Sequence, residues 1–118
     1  MGYTIRKRFT FAAAHHLEHL PPGHKCGRLH GHNYTVWLEL TASTLDPAGF
    51  VRDFGDLTEF KAAVEALDHR DLNDLVEDNP TAENLARHLF DLAAGAYGPL
   101  AAAVAVEETG TCWAEYRP

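Results

Sequence analysis

Two stretches of the chain alternate apolar and polar side chains, and each ends in histidine where it faces the other along the sequence. From Tyr3 to His15 the odd positions Tyr3, Ile5, Phe9, Phe11 and Ala13 are apolar, interrupted at Lys7, and His15 keeps the same phase. From His30 to Ala42 the even positions Tyr34, Val36, Leu38 and Leu40 alternate with Asn33, Thr35, Glu39 and Thr41, and His32 shares their phase. A period of two marks a half-buried strand, because successive side chains leave opposite faces. Between the strands, Leu20-Pro21-Pro22-Gly23-His24 excludes regular structure. The chain is thereby committed to a sheet whose first two strands gather histidines at one end.

The rest of the chain supplies helices and two more strands. After the turn Asp46-Pro47-Ala48-Gly49, Asp53 is expected to cap a helix with the stripe Leu57, Phe60, Val64 and Leu67. A polar loop, Asp68 to Asp74, breaks that spacing. Asn79-Pro80-Thr81-Ala82-Glu83 announces a second helix through Leu85, Leu89 and Leu92, ended by Gly95 and Gly98-Pro99. Val104 and Val106 share a strand phase, and Gly110 reads as a hairpin turn before Cys112-Trp113-Ala114-Glu115-Tyr116, with Cys112 expected in the core. The order ββααββ without linker or repeat implies one α+β domain over residues 1–118, a four-stranded antiparallel sheet with two helices on one face. Two helices leave the other face and both edges bare, so a homo-oligomer is expected.

Six of the eight histidines lie between His15 and His32, which suggests metal chemistry. His30 and His32, two apart on a strand, point the same way. His15 ends the neighbouring strand in the matching phase, so three imidazoles can converge on one zinc and leave a coordination position open. His16 has the opposite phase, and His19 and His24 fall in the loop.

Cys26 sits beside Lys25 and Arg28, four residues before His30. Positive neighbours favour its thiolate. It is either a fourth zinc ligand or a proton-abstracting base, and spacing does not choose. Asp68-His69 pairs a carboxylate with an imidazole, either as a proton relay or as a helix C-terminus with His69 near the negative end of the dipole.

The formal charge of −7 argues against general nucleic-acid binding. No apolar run approaches the length of a membrane span, no secretion signal opens the chain, and two cysteines make no disulfide framework, so a cytoplasmic protein is expected. Up to Leu38, five basic residues face one acidic residue, enough to receive a small polyanion.

The segments Phe9 to His15, Gly23 to His32, Val51-Arg52-Asp53-Phe54, Leu67 to Asn73, Asn79 to Leu85 and Glu108-Thr109 resemble, in order, the motifs of the 6-pyruvoyltetrahydropterin synthase superfamily. The three residues between Cys26 and His30 resemble its bacterial 6-carboxytetrahydropterin synthase branch; pyruvoyl-forming members usually have a longer gap. The resemblance implies the tunnelling fold (T-fold), in which the sheets of several subunits join into a barrel, typically in a hexamer with active sites at subunit interfaces. It implies a pterin triphosphate substrate, 7,8-dihydroneopterin triphosphate, converted to a 6-carboxypterin with loss of acetaldehyde and triphosphate, in queuosine or other deazapurine biosynthesis. It also implies Zn2+ on His15, His30 and His32, Cys26 as base, and His69 and Asp68 as its relay. Glu108 would anchor the pterin, and Thr81 is a further pterin candidate, although a helix cap explains it equally. From charge alone, Lys25 and Arg28 are candidates for the triphosphate.

Overall fold

The structure, a computed structural model, describes residues 2–118. Strands β1 (Tyr3–His15) and β2 (His30–Ala42) pair antiparallel along their whole length, from Tyr3 opposite Ala42 to His15 opposite His30. β3 (Ala101–Glu108) pairs with β2, and β4 (Cys112–Tyr116) with β3, giving the sheet order β1-β2-β3-β4. β3 ends with Glu108 opposite Tyr34. The tips of β1 and β2 therefore run on past the four-stranded part, carrying the histidines with them.

Alternation decides the two faces. Phe11, Ala13, Tyr34, Val36, Leu38, Leu40, Val104 and Val106 are buried on one face. Helices α1 (Thr58–Glu65) and α2 (Ala82–Tyr97) cover it with Phe60 and Val64, and with Leu85, Ala86, Leu89, Phe90 and Ala93. Side chains spaced three and four apart form the stripe that a sheet can bury. Lys7, which interrupts the apolar phase of β1, stays on this face by sending its Nζ to the Phe54 carbonyl at 3.0 Å.

Three expectations need correction. Asp53 does not cap α1: its carboxylate accepts the Gly55 amide at 2.8 Å in a tight turn. The helix begins after Leu57, whose side chain is buried in the core, and the Phe60 amide is capped instead by the Tyr97 hydroxyl at 3.0 Å, a partner supplied by α2. Gly95 lies inside α2, which ends at Gly98 with φ 58°, the conformation glycine adopts without penalty. Cys112 is exposed rather than core, because it opens the short edge strand β4.

The second face of the sheet carries Arg6, Trp37, Glu39, Ala103, Ala105, Trp113 and Glu115 around a cavity of about 640 Å³. Glu39 is buried there and bound by Arg6 and, through both carboxylate oxygens, by Arg117. No helix among the described residues is long and apolar enough to cross a membrane.

Candidate metal centre and active site

The register that pairs β1 with β2 sets His15 directly across from His30, with His32 two residues along on the same face. The ligand atoms of the three lie within 4.8 Å of one another, and the rings stand edge-on, with interplanar angles of 65°, 88° and 87°. Each Nδ1 has its own partner. His15 Nδ1 donates to the Pro80 carbonyl at 2.7 Å, His30 Nδ1 donates to the Arg28 carbonyl at 2.6 Å, and His32 Nδ1 lies 2.9 Å from the Thr109 hydroxyl. Histidine that holds a metal through one nitrogen commonly commits the other in this way.

A carbonyl oxygen only accepts, so His15 and His30 carry their protons on Nδ1. Their Nε2 atoms then present lone pairs to each other at 3.1 Å. A proton between them would require one ring to be cationic, and burial pushes His15 below its ordinary value of 6.5. A metal ion satisfies both lone pairs. Two ligands of a tetrahedral ion, each at about 2.0–2.1 Å, stand roughly 3.3 Å apart, close to the spacing found. The residues present fit a metal bound through three imidazole nitrogens with further positions open.

Cys26 lies on a 3₁₀ turn, Lys25–Gly27, held by two bonds: its carbonyl accepts the Leu17 amide at 2.8 Å, and its amide donates to His24 Nδ1 at 3.1 Å. His24 is thus exposed yet structural to the loop. Cys26, half-buried, lines a cavity of about 510 Å³ with Lys25, Arg28, Leu29, His30 and His32. The thiol, both basic residues and two of the imidazoles therefore share one space.

Asp68 and His69 follow α1 in a turn that runs along the outer edge of β1. The Ala12 amide donates to Asp68 Oδ1 at 2.9 Å, His69 Nδ1 pairs with Asp68 Oδ2 at 2.8 Å, and the His69 amide donates to the Ala12 carbonyl. The Ala12 bond first and the imidazole second hold Asp68 below the usual carboxylate range. His69 pairs with its neighbour rather than with the carbonyls ending α1, and its side chain is 82% exposed. It lines a second cavity, of about 640 Å³, with Ala12, Gly31, Asn33 and Thr109. His32 borders both cavities.

A family model described as 6-pyruvoyl tetrahydropterin synthase matches residues 4–118. The chain belongs to that family. It is 37% identical over 124 residues to a Synechocystis protein named 6-carboxy-5,6,7,8-tetrahydropterin synthase, covering 97% of this chain and 92% of that one. A Bacillus subtilis protein of the same name is 32% identical over 129 residues, covering 99% and 86%. The solved 6-pyruvoyl tetrahydropterin synthase of Caenorhabditis elegans superposes with a TM-score of 0.86 at 30% identity, covering 98% of this chain and 95% of that one. The tunnelling fold expected from the motifs is the fold observed.

Within this family member, Glu108 lies on the histidine face of the sheet opposite Tyr34, and its charge reaches both His15 and Tyr34. Burial, then Glu108, drives the Tyr34 hydroxyl well above its ordinary range. Glu107 pairs with Thr35 and Trp113 on the other face, as its phase requires. Thr81 caps α2 by accepting the Asn84 amide at 3.1 Å, directly after Pro80, whose carbonyl bonds His15. His16 is drawn away to Asn73 and Glu18, in keeping with its phase. Sequence reasoning missed the Pro80 and Arg28 carbonyls, because a backbone oxygen has no signature in the residue string.

Proposed function

We propose that the chain is a zinc-dependent 6-carboxytetrahydropterin synthase: it takes up 7,8-dihydroneopterin triphosphate and a water, and releases 6-carboxy-5,6,7,8-tetrahydropterin, acetaldehyde and triphosphate. The observation that carries the reading is that Cys26 shares a cavity with His30 and His32, two members of the three-histidine cluster. The three-residue gap between Cys26 and His30 supports the carboxy-forming outcome.

His15, His30 and His32 hold the ion, which as a Lewis acid would make protons near the substrate's side-chain hydroxyls more acidic. Cys26, which lines the same cavity as Lys25 and Arg28, takes up those protons. His69, oriented by Asp68, accepts the proton in turn. In one copy of the chain Cys26 and His69 line different cavities. The relay is therefore read as completed between copies in a homo-oligomer, a hexamer by family resemblance. Glu108 receives two parallel hydrogen bonds from the amino-pyrimidine edge of the pterin, and Lys25 and Arg28 face the triphosphate. The enzyme is assigned to the cytoplasm and to deazapurine biosynthesis of the queuosine type.

Mass analysis of the products formed from dihydroneopterin triphosphate tests the reading. A carboxypterin with acetaldehyde is expected. A pyruvoylpterin would assign the chain to the elimination-only reaction, and unchanged substrate bound at the site would make it a binding module.

A further inference from the structure

The hairpin turn between β3 and β4 breaks a local rule. Thr109 has φ 53° and Gly110 has φ 76°, and the Thr111 amide donates back to the Glu108 carbonyl at 3.3 Å. Hairpins with two successive positive φ angles favour Asn, Asp or Gly at the first of them, where a β-branched side chain is sterically disfavoured. A strained residue persists only where its surroundings hold it, and such residues gather at functional sites. Two contacts hold this one. The Thr109 amide donates to the Asn33 carbonyl at 2.9 Å, and the Thr109 hydroxyl lies 2.9 Å from His32 Nδ1.

His15 and His30 have their Nδ1 protons fixed by carbonyls, which act as acceptors only. His32 stands beyond the end of β3, where no third strand reaches, and its Nδ1 is met by a side chain. We infer that Thr109 is the positioning residue of the metal centre: its hydroxyl accepts the His32 Nδ1 proton and so selects the tautomer that turns Nε2 toward the ion. Glycine would relax the turn but has no hydroxyl, and valine has the shape without the acceptor. Because Thr109 follows Glu108 directly, the turn also ties a metal ligand to the carboxylate assigned to the pterin. The inference rests on the three-histidine metal reading.

Thr109→Val, Thr109→Gly and Thr109→Ser separate the roles when zinc affinity, measured by competition with a chelator, is set beside thermal melting of the metal-free protein. Valine and glycine weaken zinc binding about 10- to 100-fold, the range for losing such an outer partner, and serine restores wild-type affinity. Glycine melts no earlier than wild type, since it is at ease at positive φ. Affinity and stability thus part company, as they would not for a residue that only shapes the turn. Wild-type affinity in Thr109→Val, or equal loss in Thr109→Ser, overturns the inference. Failure of the wild-type protein to bind zinc removes the metal reading itself, and the inference with it.

Discussion

The sheet buries His15, at 1% exposure, among the core residues of one face and Glu39, at 5%, on the side the helices leave bare. The two are satisfied differently. Both oxygens of Glu39 are taken by guanidinium groups of the same chain, Arg6 and Arg117, and Arg117 first holds its carboxyl below the usual range against the opposing cost of burial. His15 is satisfied at Nδ1 only, and its Nε2 faces another lone pair. A buried polar group with every valence filled ties strands together; one with a valence left over, aimed at its like, marks a site for something the chain does not itself supply.

The sharpest break in the comparison comes from the histidine side. His30→Ala abolishes stoichiometric metal by elemental analysis while the metal-free protein keeps its fold; normal metal content would remove His30 from the site. Cys26→Ala follows, with turnover falling about 10²–10⁴-fold, the usual worth of a positioned general base. Its metal content stays at the wild-type level. A loss of metal in that variant would make Cys26 a ligand instead.

Acid distinguishes the two buried groups by window. His15 has its value lowered, so the metal-free protein binds fewer protons folded than unfolded, and stability falls as pH drops below 6.5. Glu39 is also lowered, so its contribution is complete above its ordinary value of 4.5 and is lost as pH falls through the folded value. Melting temperature against pH should show both declines. In Arg117→Ala the lower one shrinks and stability drops by about 1 kcal/mol, discounted because the guanidinium is half exposed. An unchanged acid profile in that variant would show that Arg6 suffices. The smallest effect is expected at Thr81→Ala, which costs about 1 kcal/mol or less by loss of the α2 cap. A KM increase in Thr81→Ala that Thr81→Ser reverses would give Thr81 a substrate contact as well.

Except at Leu92, which is exposed while Ala93 takes the buried position beside it, residue order was enough to determine the strands, their faces and the two helical stripes, because alternation and three-four spacing are local consequences of burying one side of an element. It also placed His15, His30 and His32 in one phase and Asp68 beside His69. The start of α1 was not legible, since its cap is the Tyr97 hydroxyl from another helix. The exposure of Cys112 was not legible either, because a strand's place at the edge of a sheet is a property of the whole assembly of strands.

Only the tertiary structure decided which nitrogen each imidazole turns toward the others, because that choice rests on the Pro80 and Arg28 carbonyls and the Thr109 hydroxyl. It also parted Cys26 and His69 into neighbouring cavities that meet at His32. Local sequence specifies which groups are available and on which face they lie. Distances between groups far apart in the chain follow from strand register and from how the loops fold back, and those are settled by packing and hydrogen bonding across the whole molecule.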